Sequence, residues 1–86
     1  MKAPLFIRRV VGHSMEPTLE ERQLVVASGW LRPRSDDLVV AEAGGLEVVK
    51  RASFTADGAI ALTGDKHGSY GVVPPYSIRG RVIGII

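Results

Sequence analysis

Short apolar runs and two-residue alternations, rather than helical stripes, carry the hydrophobic pattern of this chain. Leu5 to Val11 is β-rich, interrupted by Arg8 and Arg9, and runs into a corner at Gly12 to Leu19. Leu24-Val25-Val26-Ala27 and Asp37-Leu38-Val39-Val40-Ala41-Glu42 read as short strands of the buried kind. Leu46 to Phe54, Ala59 to Thr63 and Ile78 to Ile86 read as further strands. Polar turns separate them at Glu20 to Gln23, at Ala43-Gly44-Gly45 and at Thr55 to Gly58, where Asp57-Gly58 predicts a type I′ hairpin. Ser28 to Asp36, with Gly29 and Pro33, reads as a loop anchored by Trp30, and Lys66 to Gly71 as a second loop before Val72-Val73-Pro74-Pro75. Helical periodicity does not extend beyond a turn after Ser14. Many short strands punctuated by Gly and Pro predict an all-β fold, a mostly antiparallel coiled sheet or a small, partly open barrel.

Composition narrows the function classes. With 86 residues the chain is expected to form one domain, 1–86, with a limited core. A hydrophobic content of 45% with 23% charged residues is ordinary for a globular chain and argues against disorder. The apolar runs fall far short of the ~20 residues that cross a bilayer. Met1-Lys2 is followed by only Ala3 to Ile7 before two arginines, which is too short for a secretory signal. The expectation is a soluble protein, cytoplasmic in preference to extracytoplasmic, with peripheral contact to a membrane left open. A net charge of +2 is weak, the basic residues are scattered, and aromatic residues are few, so no nucleic-acid partner is expected. The absence of cysteine removes disulfides, thiolate metal sites and a cysteine nucleophile. Neither a metal nor a cofactor is expected.

The candidate chemistry begins at Gly12-His13-Ser14-Met15-Glu16-Pro17-Thr18-Leu19. Gly12 reaches backbone angles closed to other residues, and Pro17 pushes Glu16 towards extended geometry. A serine on such a corner presents its hydroxyl and its backbone N–H together, as a nucleophile beside an oxyanion site requires. A plain strand-to-turn junction has the same local pattern, so the serine needs a base elsewhere. His13 is a poor one, because adjacent residues of an extended chain point to opposite faces. His67 near Asp65 imitates a fragment of a Ser–His–Asp triad, yet Asp-x-His in a polar loop is usually solvated. Lys50 is the better candidate. Alternation places it on one face with Val48 and Ala52 and sends Val49 and Arg51 to the other. Such a lysine either snorkels to the rim or is buried and deprotonated.

Four blocks in order resemble the bacterial type I signal peptidases and their wider superfamily of LexA-type repressors and small maturation peptidases. Ser14-Met15-Glu16-Pro17-Thr18-Leu19 is similar to their Ser-Met-x-Pro-Thr-Leu motif. Ser35-Asp36-Asp37-Leu38-Val39-Val40 resembles the Gly-Asp-x-Val-Val strand, and Val48-Val49-Lys50-Arg51 the lysine motif. Leu62-Thr63-Gly64-Asp65, Ser69, Gly71-Val72-Val73-Pro74 and Ile78-Arg79-Gly80-Arg81-Val82 resemble the last block and its tail. The resemblance implies a Ser–Lys dyad on a coiled β fold, with Ser14 as nucleophile and Lys50 as general base. It implies an oxyanion hole from the backbone N–H of Ser14, joined by that of His13, while Gly12 lacks the hydroxyl that some members use there. It further implies that Ser69 orients the lysine and that Arg51 pairs with Asp65. This chain departs from the pattern at Lys66, at the shortened stretch around Ser69, and at Arg22-Gln23, which stands where Gly-Asp is typical.

The expected activity is therefore that of a serine endopeptidase acting on an extended segment of a precursor protein, with small residues such as alanine before the cut. A LexA-like self-cleaving regulator is the second expectation, weakened because the sole Ala-Gly pair, Ala43-Gly44, lies beyond the nucleophile on a turn and no DNA-binding domain or cleavable arm fits before Ser14. A non-catalytic β module is the third. It predicts an exposed, protonated Lys50 far from Ser14.

Overall fold

Residues 2–86 are described by a computed structural model of the chain. Strands form where the apolar runs predict them: β1 (Phe6–Arg9), β2 (Leu24–Ser28), β3 (Leu38–Ala43), β4 (Leu46–Phe54) and β5 (Ile60–Gly64). β6 (Gly68–Val73) and, after a single 3-10 turn at Pro75–Ser77, β7 (Ile78–Ile85) complete the set. All seven lie in one antiparallel sheet of order β1-β2-β7-β3-β4-β5-β6. The sheet is not closed, with β1 and β6 at its edges, in keeping with the expected all-β, mostly antiparallel fold.

Alternation in β3 and β4 feeds two buried clusters on opposite faces. Val39, Ala41 and Ala52 join Ile60, Leu62, Val73 and Ile78, with Val48 packed against them. Leu38 and Val49 pack instead on Val10, Met15, Leu19 and Val25. The second cluster is capped by the corner after β1, which is thereby pinned to the sheet by apolar burial.

Three local expectations need correction. The stretch read as a loop at Lys66 to Gly71 contains most of β6, which pairs with β5 from Gly64↔Gly68 to Ile60↔Val73. An edge strand that opens on the exposed residues Gly68, Ser69 and Tyr70 carries no apolar alternation, so the pattern hides it. The type I′ conformation belongs to Gly44 and Gly45, at φ 59° and 80°. At Asp57-Gly58 only the glycine has positive φ, and Gly58 N–H donates to Thr55 O at 3.1 Å, making a three-residue loop. Trp30 is 70% exposed, so it is not the buried anchor of its loop. The loop before β3 is held by polar bonds instead. Asp36 N–H donates to Ala52 O at 2.7 Å, and Arg34 N–H donates to the Asp37 carboxylate at 2.7 Å.

Candidate active site

The Ser14 corner is built by burial below and hydrogen bonds around it. Met15 and Leu19 are almost wholly buried, and Leu19 N–H donates to Met15 O at 2.9 Å, closing one turn. Gly12 takes φ 84°, open to glycine, and lets the chain leave β1 at the required angle. Lys66 N–H donates to the Ser14 carbonyl at 2.9 Å, tying the corner to the end of β5. The N–H groups of His13 and Ser14 donate no hydrogen bond among the described residues.

β4 supplies the other half. Lys50 stands opposite Val39 of β3 and shares its face with Val48 and Ala52. Only 6% of the residue is exposed. Its Nζ donates to Ser14 Oγ, a contact between residues 36 positions apart. Burial lowers the lysine pKa, because an ammonium loses hydration that the apolar strand does not replace. Lys50 is therefore buried and beside Ser14, where the non-catalytic expectation named an exposed lysine apart from it.

Arg51, on the opposite face, reaches Asp65 with a two-pronged contact: Nε to Oδ1 and Nη2 to Oδ2, both 2.8 Å. Thr18 Oγ1 donates to the same carboxylate at 2.5 Å, so Asp65 links β4 to the Ser14 corner. The Arg51 guanidinium, aided by Thr18, holds the Asp65 carboxyl down at about 2.

The Ser69 side chain and the two histidine side chains lie apart from the Ser14–Lys50 pair. Ser69 lies in register with Thr63, itself in register with Arg51, so its side chain is on the face opposite Lys50 and does not bond it. His13 turns away from Ser14 Oγ. Its Nδ1 meets the Glu16 carboxylate at 2.7 Å, and its Nε2 lies 3.7 Å from Glu21. The Glu16 hydrogen bond and charge, with Glu21 behind it, raise the His13 pKa. His67 is exposed and makes no bond to Asp65 among the described residues.

Two residues that matter here escaped the reading of site residues. Gly64 packs on Ser14: a Cβ there would stand 2.8 Å from Ser14 O and 3.1 Å from Ser14 Cβ. A glycine ending an apolar strand was the available signal. Tyr70 places its ring over Lys50, with Nζ 4.5 Å from the centroid. Nothing in its local sequence marks it.

A cleft of about 360 Å³ opens beside the pair, between Arg8 and Arg9 of β1 and the first half of β4, with Val10, Val40 and Met15 in its lining. Residues 46–50 of β4 pair with β3 only, since β5 joins from Arg51 onward. Arg8 bonds the Glu47 carboxylate across the cleft. A larger hollow, of about 480 Å³, lies elsewhere around Trp30, Phe54 and Pro75 and touches neither Ser14 nor Lys50. Among the described residues no group of three or more His, Cys, Asp or Glu side chains is placed to hold a metal ion. No described helix is long and apolar enough to cross a membrane.

The chain is thus an all-β protein, an open antiparallel sheet in which the Ser14 hydroxyl lies beside the buried Lys50 amine. Comparison with protein families agrees: the model described as Peptidase S24-like matches residues 1–82, and the chain belongs to that family. A search of curated proteins found no match.

Proposed function

We propose that this domain, 1–86, is a serine endopeptidase in which Ser14 is the nucleophile and Lys50 the general base. The supporting observation is the hydrogen bond between Lys50 Nζ and Ser14 Oγ at a lysine that is only 6% exposed. An ordinary lysine, with a pKa of about 10.4, is neutral in only ~1 molecule in 2,500 at pH 7. Burial enlarges that fraction.

In the forward step neutral Lys50 takes the hydroxyl proton as Ser14 Oγ bonds to the peptide carbonyl carbon. The free N–H groups of Ser14 and His13 receive the oxyanion. The Lys50 ammonium then gives its proton to the leaving amine as the C–N bond breaks, leaving an acyl-enzyme. Water attacks the ester with Lys50 again as base, and the proton returns to Ser14 Oγ. These steps use side chains and backbone alone. Arg51 and Asp65 support the site by joining β4, the end of β5 and the Ser14 corner.

The substrate is an extended segment of a precursor protein. It lies along the unpaired half of β4 as an added strand, above an apolar floor. The family resemblance adds a preference for small residues before the cut. Self-cleavage of the chain, as in LexA-type members, is the second reading, and family membership favours it.

Incubation with a peptide library tests both readings. Cleavage products that appear with the native chain and vanish with Ser14→Ala support the endopeptidase. Serine-dependent fragments of the chain itself, formed at a rate independent of dilution, identify self-cleavage. A library and a chain that both stay intact refute the assignment.

A further inference from the structure

We propose that Tyr70 is a positioning residue for Lys50, the face of its ring holding the ammonium that forms when the Ser14 proton is taken up. The assignment of Lys50 as base rests on the preceding reading, but the contact between ring and amine does not.

The backbone aims this side chain. Between β5 and β6 the register runs Thr63↔Ser69 and then Leu62↔Gly71, so Tyr70 is the extra residue of a bulge. Bulges re-aim side chains, and Gly71, at φ 155°, supplies the backbone freedom for this one. The flanking Ser69 stays on the Arg51 face while the Tyr70 ring covers Nζ at 4.5 Å. Tyr70 thus occupies the role that the resemblance assigns to Ser69.

The chemistry of a ring differs from that of a hydroxyl or a carboxylate. Ser14 Oγ is the sole hydrogen-bond partner of Nζ among the described residues, so a protonated Lys50 has N–H groups left over. A carboxylate in the place of Tyr70 would keep the lysine charged and disable it as a base. An aromatic face attracts the cation modestly and leaves the neutral amine almost untouched. It therefore supports the charge when it appears without fixing it beforehand. The other charged groups near the site are engaged elsewhere: Arg51 with Asp65, the Lys66 ammonium with Glu16, Arg8 with Glu47 at the cleft, and Arg9 with the Arg22 carbonyl. Groups facing Nζ are the Ser14 hydroxyl from the corner and the Tyr70 ring from β6.

The test reads the lysine itself. The chain has three lysines, Lys2, Lys50 and Lys66, and Lys50→Met identifies the Lys50 signal in the NMR titration of isotope-labelled lysine side chains. Tyr70→Leu keeps an apolar cover but removes the ring, and Lys50 is expected to titrate about 0.5–1 pH unit lower. Tyr70→Phe keeps the ring face and is expected to titrate with the native chain. Tyr70→Trp, a stronger cation acceptor, is expected to titrate at the native value or above, and it decides the matter if the leucine variant does not fold. An unchanged or raised value in Tyr70→Leu, an equal fall in Tyr70→Phe, or a fall in Tyr70→Trp overturns the proposal. Because the titration needs no cleavage, it fails separately from the peptidase assignment.

Discussion

Gly64 and Ser14 are in van der Waals contact, with no room for a side chain between the end of β5 and the corner that carries the hydroxyl. A methyl group on Gly64 would meet backbone, which cannot swing aside as a flexible side chain does. Gly64→Ala is expected to push Ser14 off Lys50 and to cost about 1–3 kcal/mol through overpacking. Thermal unfolding checks the stability, and peptide cleavage should fall at least tenfold. Native activity in the variant would mean that the corner is not held where it must be.

Lys50→Met should remove cleavage and stabilise the fold. A lysine whose folded pKa is lowered by burial disfavours folding below that value, and the penalty is relieved as pH rises from the folded pKa towards about 10.4. Methionine fills similar volume without charge. A gain of about 1 kcal/mol, or roughly 4–8 °C in Tm for a domain of this size, is expected at neutral pH, narrowing as pH rises. Ser14→Ala, measured alongside, should lose cleavage with little change in Tm. A lower Tm for Lys50→Met would count against the buried amine.

Asp65→Asn should weaken the fold near neutrality. The folded carboxyl sits at about 2, against an unfolded value of about 3.9. Its contribution is complete above the unfolded value and is lost as pH falls through the folded one. The expected loss at pH 7 is about 1–2 kcal/mol, allowing for partial exposure of the Arg51–Asp65 pair. Denaturant titrations should show the native chain and the variant converging as pH approaches 2. A constant gap across that range would trace the loss to something other than the ionised carboxylate.

Arg22→Gly should hold or raise stability. Arg22 adopts φ 73°, a left-handed conformation that costs a residue with a Cβ. Its N–H still donates to Val10 O at 2.8 Å, a bond that glycine keeps. Relief of the strained backbone, partly offset by the greater unfolded-state freedom of glycine, predicts a change between zero and about +1 kcal/mol. A clear loss of stability by calorimetry would show that the Arg22 side chain contributes more than its backbone costs.

Much of this protein is legible along the chain because β-strands announce themselves locally. Val39, Val40 and Ala41, or Val48 to Ala52, show which residues are buried and which faces they share, since alternation depends only on the two-residue period. The same period places Lys50 among apolar neighbours and sends Arg51 the other way. The order of the Ser14, Lys50 and Asp65 blocks points to the family and to the Arg51–Asp65 contact. β6 was hidden because an edge strand in solvent needs no apolar face. The Asp57-Gly58 turn was mistyped because its loop takes one residue more than a type I′ turn.

What the chain alone determined, then, is the strand pattern, the two candidate groups and their family. Whether serine and lysine meet was decided in three dimensions, by the packing of Met15 and Leu19 under the corner and by the space left at Gly64. So was the placing of the Tyr70 ring beside the amine, at the one extra residue in the β5–β6 ladder. Contacts of this kind join segments far apart in sequence, and a one-residue shift in register changes which side chain faces the site.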